Sequence, residues 1–228
     1  MIIVGHRGAA GTEPENTILS FCRALDFEAD ELEFDVQMTK DGHVVVIHDA
    51  TVDRTTNGYG PVTNMSIVDL CRLDAGKGEK VPTLHDLLWF MRCQSAYLNI
   101  EIKMPGCEEC VAALVKQFAD EKKTCVISSQ ARILRKISRL SLNIGLIFDK
   151  QPREKIKIAH RLRVARILPH KRLVTPWLVK RARKQGMKVI VWTVNEREEM
   201  LRLADLGVDG ICTDHPERAA ELFKKKTP

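Results

Sequence analysis

"ELEFDVQMTKDGHVVVIHD", residues 31–49, is the stretch from which the fold can be read. In its first six residues Leu32, Phe34 and Val36 share one side of an extended chain, and Glu33 and Asp35 share the other. Lys40-Asp41-Gly42 then reads as a tight turn, and Val44-Val45-Val46-Ile47 as a further extended run ending at His48.

Outward from this stretch, apolar β-branched runs alternate with helix-period segments. Strands are expected at 2–6, 31–37, 97–102, 124–128, 143–148, 163–168, 187–193 and 208–212. Helices are expected at 15–26, 83–94, 107–122, 130–140, 152–160, 174–185, 196–205 and 216–225. Gly145, Gly186 and Gly207 sit where helices should stop or strands begin. Pro14, Pro105, Pro152, Pro176 and Pro216 sit near helix starts, where a missing N–H costs little. Such alternation implies a parallel sheet covered by helices. Eight repeats, with no Gly-rich dinucleotide fingerprint after the first strand, favour a closed (β/α)8 TIM barrel over an open sheet. The 228 residues are expected to form one such domain, with a Gly-, Asn- and Thr-rich insertion at 49–80 carrying a short helix near 66–72.

Composition bounds the setting. No basic leader or cleavage site precedes the first strand, so a secretory signal is not expected. No apolar run approaches the ~20 residues needed to span a bilayer. The seven cysteines are scattered, and Cys107-Glu-Glu-Cys110 is a lone pair flanked by acids; a reducing, cytoplasmic location fits. Net charge is +6, but residues 1–130 carry 12 basic and 20 acidic side chains, whereas 131–228 carry 24 and 10. The basic 132–188 region, including Arg161, Arg163, Arg166, Lys171 and Arg172, reads as solvated helix faces or as a surface for anions, anionic membrane among them. No aromatics interleave with these charges, which counts against a nucleic-acid groove. The tail Lys224-Lys225-Lys226 reads as frayed and solvated.

In a barrel both faces of a strand are buried, so an inward charge needs a partner. Glu33 and Asp35 on the second strand share one face, as do Glu101 and Lys103 in "NIEIK". His6 and Arg7 end the first strand, and His48 ends the additional run. All seven groups collect at the C-terminal rim, where barrel enzymes keep their active sites. Glu33, Asp35 and Glu101, three carboxylates without cysteine, suit a hard divalent cation such as Mg2+ or Ca2+. Arg7 and Lys103 favour an anion such as phosphate beside it. Two histidines suit acid–base work near neutral pH, one serving the attacking oxygen and the other the leaving oxygen.

The chain resembles the glycerophosphodiester phosphodiesterase family of phospholipase C-like barrels. The matching stretches run in order: "HRG" (6–8), "PENT" (14–17), residues 31–49, "RTTNGYG" (54–60), "VPTL" (81–84), "IEIK" (100–103), "VWTVN" (191–195) and "GVDGICTD" (207–214). The resemblance implies metal-dependent cleavage of a small glycerophosphodiester to glycerol 3-phosphate and an alcohol. It implies His6 and His48 as the acid–base pair and Glu33, Asp35 and Glu101 as metal ligands. Arg7 and Lys103 correspond to phosphate-binding positions, Trp192 to an apolar side chain near the glycerol, and Asn16 to a capping or bracing position. Departures are Glu28 in place of a usual glycine, His85 after "TL", "SSQAR" (128–132) and "LPH" (168–170). A lysophospholipase D and a catalytically silent phosphate-binding module are the rival readings. The attacking oxygen is either metal-activated water or the neighbouring glycerol hydroxyl, the latter by way of a cyclic phosphate.

Overall fold

The computed structural model describes residues 1–224; Lys225 and Lys226 of the basic tail, and the last residue of the helix expected at 216–225, lie outside the described residues. Eight parallel strands close into a barrel: β1 (Ile2–His6), β2 (Glu31–Met38), β4 (Tyr97–Ile102), β5 (Thr124–Ser128), β6 (Asn143–Phe148), β7 (Arg166–Pro169), β8 (Lys188–Val191) and β9 (Gly210–Thr213). Closure comes from β1, which pairs with both β2 and β9. The additional run is β3 (Val44–Val46); it pairs antiparallel to β2 outside the barrel, with Val36 opposite Val46. This arrangement is the TIM barrel expected, plus one strand.

Helices α1 (Ile18–Asp26), α2 (Ile67–Arg72), α3 (Leu84–Met91), α4 (Glu108–Phe118), α5 (Ala131–Arg139), α6 (Pro152–Leu162), α7 (Pro176–Lys184), α8 (Arg197–Asp205) and α9 (Pro216–Phe223) follow or separate the strands. Three expectations shift. Helix α1 starts at Ile18 rather than 15, because Asn16 takes a left-handed φ of 59° and Thr17 caps the helix by accepting from Ser20 N–H. Strand β7 starts at Arg166 rather than 163, because Arg163 is the left-handed C-cap of α6. Gly145 lies inside β6, where a Cβ would come within 2.9 Å of the Arg166 side chain, so it makes room in the lumen rather than starting the strand. Glu28 takes φ 59°, so the turn before β2 makes the demand that a glycine would meet without strain.

Alternation sorts the side chains. Leu32, Phe34, Val36, Ile100 and Ile102 face the helices and are fully buried. Val4, Cys125, Ile127, Ile147, Leu168, Ile190 and Cys212 fill the barrel lumen. Burying each such aliphatic side chain stabilises by about 1.5–3 kcal/mol. A third cluster, Val45, Ile47, Val52, Val62, Leu70, Ala75 and Val81, underlies the segment between β3 and α3, so the 49–80 stretch carries its own apolar packing. At the N-terminal end of the lumen Arg166 is buried: its Nη1 donates to Glu31 Oε2 and to Asn99 Oδ1, the latter at 2.9 Å. Its guanidinium also lies 4.4 Å from the centroid of the Tyr97 ring. Arg166 therefore does not belong to the solvated basic surface expected for 132–188. Among the described residues no helix is long and apolar enough to cross a membrane.

Candidate active site

The seven predicted groups meet at the C-terminal rim. Glu33, Asp35 and Glu101 each offer an oxygen within 4.8 Å of the others'. The register explains it: Asp35 sits opposite Glu101 across β2 and β4, and His6 opposite Glu33 across β1 and β2. A cavity of about 300 Å3 opens over them, lined by His6, Arg7, Glu33, His48, Glu101, Lys103 and Trp192. Its wall on the far side is mostly apolar, from Ile127, Ile147, Phe148 and Leu168.

The carboxylates carry more negative charge than their surroundings accommodate. Burial, together with the charge of Asp35, raises Glu33 to about 8. Burial and Asp35 likewise raise Glu101. Burial alone would raise Asp35 too, but Lys103 and Arg7 outweigh it and hold that carboxylate below its ordinary range. Lys103 Nζ lies 2.9 Å from Glu101 Oε2 and 3.0 Å from Asp35 Oδ1. Arg7 Nε lies 3.2 Å from Asp35 Oδ2. These approaches to Asp35 are close but off line, and Arg7 Nε and Asp35 Oδ1 are both buried without a hydrogen bond. An orphaned carboxylate oxygen among three crowded carboxyl groups fits a hard divalent cation, which would replace the proton on Glu33.

Each histidine is held through Nδ1 by an aspartate. His6 Nδ1 lies 2.6 Å from Asp214 Oδ1, and Asn195 Nδ2 donates to the other oxygen of Asp214 at 2.6 Å. Burial lowers His6, but Asp214 and Glu33 outweigh it and its pKa is raised. His48 Nδ1 lies 2.5 Å from Asp49 Oδ1. Burial lowers His48, and the opposing pull of Asp35 and Asp49 does not restore it. Arg54 grips Asp49 through Nε at 2.7 Å and Glu15 through Nη1 at 2.7 Å, while Glu15 accepts from Arg7 Nη1 at 2.8 Å. The insertion is thereby tied across the mouth to the β1–α1 loop. Gln37 Nε2 donates to the His48 carbonyl at 2.9 Å, which pins the end of the additional run to β2.

The loop after β1 is built for this. Arg7 takes a left-handed φ of 53°, and its backbone N–H donates to Glu33 Oε2 at 3.2 Å. Gly8 follows at φ 87°, where a Cβ would meet Ser20 at 2.4 Å, so the turn requires glycine. Asn16 braces rather than caps: its Nδ2 donates to Asp35 Oδ2 at 3.0 Å. Trp192 Nε1 donates to the Leu168 carbonyl at 2.7 Å, and its ring stands edge-on to His170, 5.1 Å between centroids. His170 thus stands beside the mouth. Of the "SSQAR" departure, Ser129 lines the cavity and Gln130 Nε2 donates to the Lys103 carbonyl at 2.8 Å. His85 lies away from it on α3, 3.1 Å from Asp86.

Sequence reasoning named the histidines but not Asp214, Asn195, Asp49, Arg54 or Glu15, which orient them and Arg7. The signal was present: "GVDGICTD", "VWTVN" and "RTTNGYG" end or begin on Asp214, Asn195 and Arg54, and "PENT" contains Glu15.

Residues 6–218 match the glycerophosphoryl diester phosphodiesterase family. A glycerophosphodiester phosphodiesterase of Caldanaerobacter subterraneus is 38% identical, over 98% of each chain. The crystal structure of a glycerophosphodiester phosphodiesterase from Agrobacterium tumefaciens superposes with a TM-score of 0.86 at 31% identity, covering 96% of this chain and 98% of that one. A phosphodiesterase of Oleispira antarctica, solved with the product sn-glycerol 3-phosphate, gives a TM-score of 0.92 at 26% identity over 99% and 97%. With its closed barrel, its rim of paired acids and bases and a match over nearly its whole length, the chain belongs to the glycerophosphoryl diester phosphodiesterase family of hydrolases.

Proposed function

We propose that the chain hydrolyses glycerophosphodiesters to sn-glycerol 3-phosphate and an alcohol, in a reducing, cytoplasmic setting that suits its seven unbridged cysteines. One observation carries the reading: His6, His48, Glu33, Glu101, Arg7 and Lys103 line a single cavity, with Asp35 buried in the same carboxyl cluster beneath it. The Oleispira antarctica relative supports it, because that protein holds sn-glycerol 3-phosphate.

In this reading Arg7 and Lys103 bind the phosphoryl oxygens, and Trp192 packs against the glycerol. His6 and His48 have Nδ1 committed to Asp214 and Asp49, which leaves Nε2 of each to carry a proton. One serves the attacking oxygen and the other the departing alcohol, a division worth about a hundredfold to ten-thousandfold. Glu33, Asp35 and Glu101 would hold Mg2+ or Ca2+. Bound there, such an ion would neutralise phosphoryl charge and acidify a nearby hydroxyl or water. Asp35, kept ionised by Lys103 and Arg7, anchors the donor set, and Asn16 fixes its rotamer.

The test is coupled detection of glycerol 3-phosphate from a panel of glycerophosphodiesters, and of choline from lysophosphatidylcholine, which is included because of the apolar wall. Each is run with Mg2+, Ca2+, Mn2+ and chelator. Cation-dependent release supports the reading. Silence with every diester and every ion leaves a phosphate-binding module instead.

A further inference from the structure

Between residues 131 and 188 stand 18 basic and 2 acidic side chains, the acids being Asp149 and Glu154. Apart from the buried Arg166 and from Lys188 at the start of β8, the fold puts most of these cations on one flank. Helices α5, α6 and α7 pack side by side there, with Arg139, Lys157, Arg161 and Lys180 exposed. The flank runs up to the mouth of the barrel, since the loops after β6 and β7 and the first turns of α6 and α7 lie at the C-terminal rim. Lys150, Arg153 and Arg172 are exposed on that edge.

Helix stability does not account for them. An arginine in the first turn, such as Arg153, opposes the helix dipole, and neither α5 nor α7 has a compensating acid there. Beside Arg153 stands Trp177, 46% exposed at the start of α7, with the Arg153 guanidinium 5.7 Å from its ring centroid. An exposed tryptophan beside an arginine on a basic flank is the composition of a membrane–water boundary. Behind this edge the cavity wall is mostly apolar, from Ile127, Ile147, Phe148 and Leu168, with Ser129 and Asp149 among them. Trp177 is the one exposed aromatic residue on the flank, so a nucleic acid would find charge but no row of rings to stack on.

We propose that this edge docks on an anionic lipid surface, with Lys150, Arg153 and Arg172 against headgroup phosphates and Trp177 at headgroup depth. Docking there turns the mouth of the barrel toward the bilayer, and lipid-borne diesters reach the cavity along its apolar wall.

The test uses the full chain and vesicles of phosphatidylcholine alone or mixed with phosphatidylglycerol. The protein should sediment with the anionic vesicles only, and added salt should release it. The triple variant Lys150→Glu/Arg153→Glu/Arg172→Glu should weaken that binding by at least about a hundredfold. Trp177→Ala should weaken it less. A control with the same charge change on the acidic half, Lys40→Glu/Lys116→Glu/Lys122→Glu, should bind like wild type. Equal loss in both triple variants, or no preference for anionic vesicles, overturns the proposal. Tighter binding to a single-stranded oligonucleotide than to vesicles at the same salt also overturns it. Vesicle binding reads the docking and hydrolysis of soluble glycerophosphocholine reads the catalytic site, so the two readings can fail separately.

Discussion

The two ends of the barrel lumen solve the same electrostatic problem in opposite ways. At the N-terminal end one carboxylate, Glu31, meets one guanidinium, Arg166, and Asn99 closes the ring by donating to Glu31 at 2.8 Å. Charges balance, one guanidinium against one carboxylate, and the cluster is a plug even though Arg166 Nε is left without a hydrogen bond. At the C-terminal end Glu33, Asp35 and Glu101 crowd together, Glu33 is driven up to about 8, and Asp35 Oδ1 is left without a hydrogen bond. Both clusters hang from the same strand, two and four residues apart along β2. The contrast teaches that burial of charge does not by itself mark a site. What marks it is the imbalance that the protein leaves uncompensated, which only a ligand can relieve.

That comparison makes separable predictions. The largest effect belongs to the rim: His6→Ala and His48→Ala should each reduce turnover between about a hundredfold and ten-thousandfold while still binding metal and keeping the melting temperature. Wild-type rates in either variant remove that histidine from the chemistry. At the plug the balance reverses. Arg166→Leu leaves Glu31 buried and unpaired, and should cost about 3–5 kcal/mol of stability while turnover of the folded fraction is kept. In thermal unfolding this is a drop of roughly 10 °C, and Glu31→Leu/Arg166→Leu should recover part of it. An unchanged melting temperature would show that the plug is not the balanced pair its geometry implies.

A smaller effect appears in pH dependence. Glu33 holds its proton in the fold up to about 8, whereas the unfolded chain releases it near the ordinary 4.5. The unfolded state thus binds fewer protons across that window, so the metal-free protein loses stability as pH rises from about 5 to 8. Glu101 and His6, both raised, act in the same direction, and His48, lowered, opposes them. Asp35, lowered, matters only in acid, where stability falls as pH drops below the ordinary 3.8. Urea midpoints should therefore be higher at pH 5.5 than at pH 8, and a saturating divalent cation should flatten the trend. A midpoint that rises toward pH 8 contradicts the crowding. The smallest effect is expected at Arg54, half exposed, which reaches the chemistry only through Asp49 and Glu15. Arg54→Ala should lower turnover by roughly fivefold, the worth of an exposed ion pair of about 1 kcal/mol. A loss as large as that of His48→Ala would place Arg54 in the machinery itself.

Much of this was legible in residues 31–49 and their neighbours. Period-two alternation put Glu33 and Asp35 on the lumen side, and strand ends put His6, His48, Glu101 and Lys103 at one rim, because a parallel barrel brings all its C-terminal strand ends to the same face. The pairing of side chains from distant segments was not legible. His6 with Asp214 spans 208 residues and Arg166 with Glu31 spans 135, and no local pattern encodes either. Arg166 looked like one more cation in a basic stretch until the strand phase turned it inward. Left-handed residues also hid the boundaries, since Asn16 and Arg163 delay a helix and a strand by a conformation that propensity does not register.

The central claim is that the rim carboxyl groups await a cation in place of a proton. Calorimetric titration of the chelator-stripped protein with Mg2+ or Ca2+ at pH 7, in buffers of different ionisation enthalpy, tests it most directly. One ion should bind per chain with release of close to one proton, and Glu33→Gln should abolish that release. Binding without proton release, or equal affinity in Asp35→Asn and wild type, would contradict the account.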